Sequence, residues 1–146
     1  MIPKKILFCT DFSENSAVAG DCAARYSQIF GANLTILHVI DSWAGFPIDS
    51  VDILAVVGKL EDLAKAQLEQ LAKELGRNNG QVETRLTIGI PAEEIVEVAN
   101  KDSVDLIVMG THGWTGIRHM LLGSVAEKVL RMAKCPVLVV RPSSPG

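Results

Sequence analysis

The sequence predicts an α/β fold, a doubly wound, Rossmann-like parallel sheet of five strands in the order 3-2-1-4-5 with helices on both faces. Three observations carry this reading. Five short apolar runs alternate strictly with four stretches of helical spacing. Four of those runs are continuously apolar but for Thr35 and His38 in the second, as strands covered on both faces should be. Each crossover is long enough for a right-handed βαβ unit.

The first run is Ile6-Leu7-Phe8-Cys9. The helix after it places Val18, Cys22, Tyr26 and Ile29 on one face, and Gly31 is positioned to end it. The second strand covers Leu34 to Ile40. Val57, Leu60, Ala64, Leu68, Leu71 and Leu75 form the stripe of a long second helix that stops at Gly76. The third run, Val82 to Ile88, alternates Val82, Leu86 and Ile88 with Glu83, Arg85 and Thr87, the pattern of a half-exposed edge strand. Pro91 suits the first turn of the third helix, followed by Glu93, Glu94, Ile95 and Val98. Leu106-Ile107-Val108-Met109 reads as the fourth strand. The last helix runs from about Ser124 to Ala133, and Cys135-Pro136 leads into the fifth strand, Val137-Leu138-Val139-Val140. No repeat or linker interrupts the pattern, so residues 1–146 are expected to form a single domain with a frayed tail from Pro142.

Composition narrows the functions available. Hydrophobic residues make up 48% and charged residues 21% of the 146, which is globular rather than disordered. A formal charge of -3 offers no basic field for nucleic acid. No apolar run approaches the roughly 20 residues of a membrane span. The run after Lys4-Lys5 is too short for an export signal and meets Asp11 at once, so a cytoplasmic location is expected. Cys9, Cys22 and Cys135 are odd in number and widely spaced, which points to buried, reduced thiols rather than disulfides or a zinc site.

In an open parallel sheet ligands bind outside the carboxyl ends of the strands, where the winding reverses. Strand one ends there in Thr10-Asp11 and strand four in Met109-Gly110. A glycine-rich loop follows, Gly110-Thr111-His112-Gly113-Trp114-Thr115-Gly116, and Gly123-Ser124 opens the last helix. Glycines let backbone amides approach an anion closely, and a helix N-terminus adds about half a positive charge. Together they can cradle a polyphosphate, although neither GxxxxGK[ST] nor GxGxxG is present. Each residue also has a plainer reading. The glycines can serve the turn alone, Ser124-x-x-Glu127 fits a capping box, and Asp11 can cap the first helix unless Ser13 does. His38, inside an apolar strand, reads as a satisfied core histidine. His112 either meets a phosphate or belongs to the turn, and Arg118 and His119 are either solvated or reach a terminal phosphate. Trp43 and Phe46 either cover a ligand or pack beneath the long helix.

At this point the chain resembles the universal stress protein family over essentially its whole length. The resemblance rests on Ile6 to Ser13, on Leu37-His38-Val39, and above all on Gly110-x2-Gly113-x9-Gly123-Ser124 followed by Val125 to Leu130. That spacing matches the motif of the family's ATP-binding branch. The resemblance implies an ATP site with Mg2+ in which Thr10, Asp11 and Val39 hold the adenosine side. Met109, Gly110, His112 and Gly113 would line it, Gly123, Ser124 and Val125 would meet the phosphates, and Asp11 is the candidate for the metal. Two positions depart from the pattern: Trp114 stands where many relatives carry a basic residue, and Ala126 where some carry a hydroxyl.

A nucleotide-dependent regulatory or stress-response protein is the leading reading, with a slow ATPase or phosphoryl-transfer enzyme on the same site as the alternative. Efficient catalysis is disfavoured because the chain has no P-loop lysine and no evident pair of metal-ligating carboxylates. A homodimer is also expected. Val137, Leu138, Val139 and Val140 are all apolar yet lie at a sheet edge, and a second copy pairing about a two-fold axis would cover them. The resemblance points to the same partner.

Overall fold

A computed structural model describes residues 1–42, 53–77, 82–112 and 122–143. Five strands and four helices alternate: β1 (Lys5–Cys9), α1 (Glu14–Phe30), β2 (Asn33–Asp41), α2 (Ile53–Leu75), β3 (Val82–Gly89), α3 (Pro91–Lys101), β4 (Leu106–Gly110), α4 (Ser124–Met132) and β5 (Val137–Val140). The strands form one parallel sheet in the order β3-β2-β1-β4-β5, as the alternation of elements implied. Several strands extend a residue beyond their apolar runs, because a parallel ladder continues wherever a neighbour supplies carbonyls and amides, whatever the side chain.

Strand alternation divides the interior into two cores. Ile6, Phe8, Leu34, Ile36 and Val108 face α1 and α2, where they meet Ala19, Ala23, Leu68 and Leu75. Leu7, Cys9, Leu37, Ile107 and Met109 face α3 and α4, where they meet Ile95, Val98, Ala126 and Val129. At about 25 cal/mol for each Å² of apolar surface removed from water, these two layers are the main force holding the helices to the sheet.

The face of α1 is a correction. Val18 and Ile29 are 37% and 72% exposed, and Cys22 and Tyr26 are only half-buried. The buried face is instead Ser16, Ala19, Gly20, Ala23, Ala24 and Ser27. The reason is proximity to the sheet: a Cβ on Gly20 would lie 2.9 Å from carbons of the Phe8 ring. A helix this close tolerates only small side chains, so the larger apolar residues turn outward. The cap expected of Asp11 or Ser13 is made by Ser13, whose hydroxyl accepts from the Ser16 amide at 3.3 Å, and Gly31 closes the helix at φ 65°.

In α2 the stripe holds over its second half, where Ala64, Leu68 and Leu75 are buried, whereas Leu60 is 36% exposed and Leu54 and Leu63 face solvent. With 23 residues this helix is about 35 Å long, more than the strands beneath it can cover. Pro91 does open α3, ahead of Glu93 and Glu94 in its first turn. The β3 edge is pinned to the end of α3 by a forked pair, Arg85 Nη1 to Asp102 Oδ2 at 2.6 Å and Nη2 to Oδ1 at 3.3 Å. Three residues on, just before β4, Asp105 accepts the amides of Lys4 and Lys5 at 2.8 and 2.9 Å, which holds its carboxyl below the usual range.

All three cysteines are free thiols. Cys9 is buried as expected, whereas Cys22 and Cys135 are only half-buried. Burial pushes the Cys9 thiol well up and raises that of Cys135, so neither carries appreciable thiolate at neutral pH. Among the described residues no helix is long and apolar enough to cross a membrane.

Candidate functional site

With α1 and α2 on one face and α3 and α4 on the other, the winding reverses between β1 and β4. Their carboxyl ends open a crevice where a doubly wound sheet takes its ligand. The chain brings Thr10 and Asp11 to this edge from β1, Val39 from β2, Met109, Gly110 and His112 from β4, and Gly123, Ser124 and Val125 from the start of α4. Gly113 lies outside the described residues, as do Trp43, Phe46, Trp114, Arg118 and His119.

The β1 side of the crevice is a tightly bonded turn. Thr10 is buried, and its amide makes the last rung of the β1–β2 ladder, donating to the Leu37 carbonyl at 2.9 Å. Its hydroxyl oxygen accepts from the Phe12 amide at 2.9 Å and lies 3.0 Å from the Ser16 hydroxyl. The Asp11 carboxylate accepts from the Ser13 amide at 2.9 Å, a local Asx turn that fixes its direction. Between them Phe12 sits at φ 65°, a left-handed conformation that costs a side-chain-bearing residue about 1–2 kcal/mol. His38 donates from Nδ1 to the Thr10 carbonyl at 2.8 Å, and its ring centroid lies 4.4 Å from that of Phe12. The histidine is satisfied, as its apolar surroundings suggested. Burial lowers its pKa from 6.5 against the opposing pull of the Thr10 carbonyl and the Asp11 charge.

The β4 side is built on close backbone contacts. A Cβ on Gly110 would lie 3.0 Å from the Asn15 carbonyl oxygen, so glycine lets β4 end against the first turn of α1. Gly123 donates its amide to the Thr111 carbonyl at 2.6 Å, and a Cβ there would sit 3.1 Å from that oxygen and 3.4 Å from the His112 Cα. Both glycines therefore serve the chain's own packing, whatever else they serve. Met109 is buried in the α3/α4 core, and Val39 and Val125 pack at its margin.

Ser124 does not form the expected capping box. It is the first residue of α4 and exposed, while Gly123 takes the cap position and supplies no side chain. The helix begins one residue too early for Ser124 to reach back to its third amide. Gly123's amide is taken by Thr111, and the first helical bond runs from the Glu127 amide to the Gly123 carbonyl at 3.0 Å. Among the described residues no side chain caps the amides of residues 124–126, which carry the positive end of the helix dipole. Beside them stands His112. Its Nδ1 lies 3.2 Å from the Thr111 hydroxyl, its Cδ2 edge is turned toward Gly123, and its Nε2 is buried without a hydrogen-bond partner. An unpaired buried nitrogen is costly, and a ligand acceptor beside it would remove that cost. Thr87 Oγ1, next to Val39 in the β2–β3 register, is likewise buried and unpartnered.

Three contributors escaped the sequence reading: Ser16, which braces Thr10; Thr111, which ties the loop to α4; and Phe12, whose backbone makes the turn. The Ser13-x-x-Ser16 spacing is a visible signal for the first. Nothing in the sequence marks an aromatic residue for a left-handed conformation.

The chain's resemblances agree with this architecture. The model of the universal stress protein family matches residues 3–141. Universal stress protein MJ0577 of Methanocaldococcus jannaschii is 36% identical over 153 residues, covering 94% of each chain. Its solved structure superposes with a TM-score of 0.88 at 38% identity, over 99% of this chain and 100% of that one. Universal stress protein MJ0531 of the same organism is 40% identical, covering 94% of this chain and 82% of its own. A solved universal stress protein in complex with cAMP superposes with a TM-score of 0.74 at 29% identity, over 98% of this chain and 100% of its own. Sheet order, crevice and sequence similarity over almost the full length converge, and this chain belongs to the universal stress protein family.

Proposed function

We propose that this chain is a cytoplasmic, ATP-binding regulatory protein, a single 1–146 domain that works as a homodimer and whose occupancy by nucleotide is its signal. The observation that carries the reading is the uncapped start of α4 with the buried, unpartnered Nε2 of His112 beside it. A phosphate group would satisfy both at once. In this reading Gly123, Ser124 and Val125 meet the phosphates through backbone amides, His112 and Gly113 line the loop, and Thr10, Asp11, Val39, Met109 and Gly110 enclose the nucleoside. A relative of the same fold in complex with cAMP supports an adenine nucleotide as the class of ligand.

Preference for adenine has a physical basis in β2. The Thr10 amide donates to the Leu37 carbonyl, and in a parallel ladder that register aims the Val39 amide at the Thr10 carbonyl. That carbonyl is taken by His38. Val39 therefore offers a donor and an acceptor at the crevice, complementary to the N1/N6 edge of adenine and mismatched to the N1/O6 edge of guanine. Among the described residues no group of three or more metal-ligating side chains exists. Mg2+ would arrive on the nucleotide, with Asp11 as the candidate carboxylate. Turnover would be slow, well below the roughly 10 per second of a typical enzyme, because the sequence carries no P-loop lysine.

Ser124→Asp separates this reading from a purely structural helix start. An acid at the first position of α4 should stabilise the ligand-free protein by about 0.3–1 kcal/mol through the helix dipole. The same charge should repel the phosphates and weaken ATP–Mg2+ binding about tenfold or more. Thermal unfolding reads the first effect and calorimetry the second. A variant that binds ATP as tightly as the unmodified chain would remove the phosphates from α4.

A further inference from the structure

Of the residues around the crevice, His38 is the one the proposed function leaves without a task. Its place in the β1–β2 ladder suggests one. Cys9 pairs with Leu37, and the Thr10 amide continues the ladder to the Leu37 carbonyl at 2.9 Å. The next rung of a parallel pair would run from the Val39 amide to the Thr10 carbonyl. It is missing: that carbonyl, 2.8 Å from His38 Nδ1, is held by a side chain instead. A carbonyl oxygen can only accept, so Nδ1 carries the hydrogen. The imidazole lies against Phe12, whose left-handed backbone turns the chain away from β2 immediately beyond this point.

We infer that His38 is a positioning residue, which by taking the Thr10 carbonyl releases the backbone edge of Val39 for the base of a nucleotide and holds the turn that aims Asp11. The inference rests on the proposed ATP site for its ligand, but the exchange of one hydrogen-bond partner for another is a property of the free protein. Two parts of the nucleoside side are coupled through this one ring. Without a donor at Nδ1 the Thr10 carbonyl is left unpaired in a buried turn, and the nearest amide able to satisfy it is that of Val39. A closed rung there removes the donor that the adenine edge would use.

The test uses the full chain and three variants. Asparagine places its amide nitrogen near the position of Nδ1, glutamine places it nearer Nε2, and leucine has no donor. In the ligand-free protein the Val39 amide of the unmodified chain and of His38→Asn should exchange with solvent rapidly. In His38→Leu and His38→Gln it should slow about tenfold or more as it pairs with Thr10. ATP–Mg2+ affinity should fall about tenfold in the Leu and Gln variants and stay within about threefold in the Asn variant, and the preference for ATP over GTP should shrink in parallel. If His38→Leu does not fold, His38→Gln carries the comparison. A purely structural role for His38 would lower stability without changing Val39 exchange or the ATP-to-GTP ratio. That result, or a His38→Asn variant as impaired as His38→Leu, overturns the inference. Should the unmodified chain bind no ATP while Val39 exchange still slows in His38→Leu and His38→Gln, the ligand assignment fails and the role of His38 in the turn stands.

Discussion

Single residues at the crevice are under more constraint than their chemistry alone requires. Phe12 holds a left-handed backbone because four neighbours enforce it: the Thr10 hydroxyl, the Asp11 carboxylate, the Ser13 cap and the His38 ring. The same ring gives the molecule a pH response. Burial holds the His38 pKa below its ordinary 6.5, so on acidification the unfolded chain takes up a proton before the folded one does. The stability due to neutral His38 is present above pH 6.5 and is lost as pH falls through the lowered folded pKa. Urea unfolding of the unmodified chain and of His38→Asn at pH 7 and pH 5 should show the stability difference between the two proteins narrowing or reversing at pH 5. A constant difference would mean that His38 titrates normally. Asp105 acts in a separate window. Its pKa is lowered by the amides of Lys4 and Lys5, so its contribution is lost only as pH falls below 3.8.

At the level of elements, α1 shows how packing distance overrides an apolar stripe. Val18, Cys22, Tyr26 and Ile29 repeat at helical spacing, but the face against the sheet is the one with alanines and Gly20. Hydrophobic periodicity ranks faces by apolarity, whereas a close crossover selects for small volume, and the two criteria disagree here. Ala23 is fully buried, so Ala23→Leu should overpack the α1 interface and cost about 1–3 kcal/mol. Ile29→Ala should change stability by less than about 0.5 kcal/mol because that side chain is 72% exposed. Denaturant midpoints of the two variants decide the matter, and the reverse order would return the buried face to Val18 and Ile29. The start of α4 at about Ser124 was legible, but its cap was not. Ser124-x-x-Glu127 carries the letters of a capping box, but the box needs the serine one position outside the helix, and the Gly123–Thr111 bond sets the first turn one residue earlier.

At the scale of the whole molecule, β5 forms one edge of the sheet. All four of its residues are half-buried, although Leu138 and Val140 reach one core and Val137 and Val139 the other. An apolar strand with one unpaired edge is an invitation to association, and a second copy about a two-fold axis would close it. Light scattering at micromolar concentration should give a dimer mass for the unmodified chain and for Glu69→Lys, and monomers or insoluble protein for Val139→Lys. A monomer mass for the unmodified chain would contradict the dimer. The strand order, the helix order and the location of the crevice could all be read from the sequence, because alternating buried strands and right-handed crossovers leave few topologies. The positions of Gly110, Gly123 and Ser124 at the crevice were legible from their spacing. What their spacing could not reveal was that both glycines also meet the chain's own backbone, or that the Thr10 carbonyl goes to an imidazole. Such pairings join residues far apart in sequence and leave no local pattern. The central claim, that this crevice takes ATP, is tested most directly by calorimetry of nucleotide-free protein with ATP–Mg2+ and GTP–Mg2+. Saturable binding of one ATP per chain, with GTP at least about tenfold weaker, is the predicted result; no heat with ATP, or equal affinity for GTP, would contradict it.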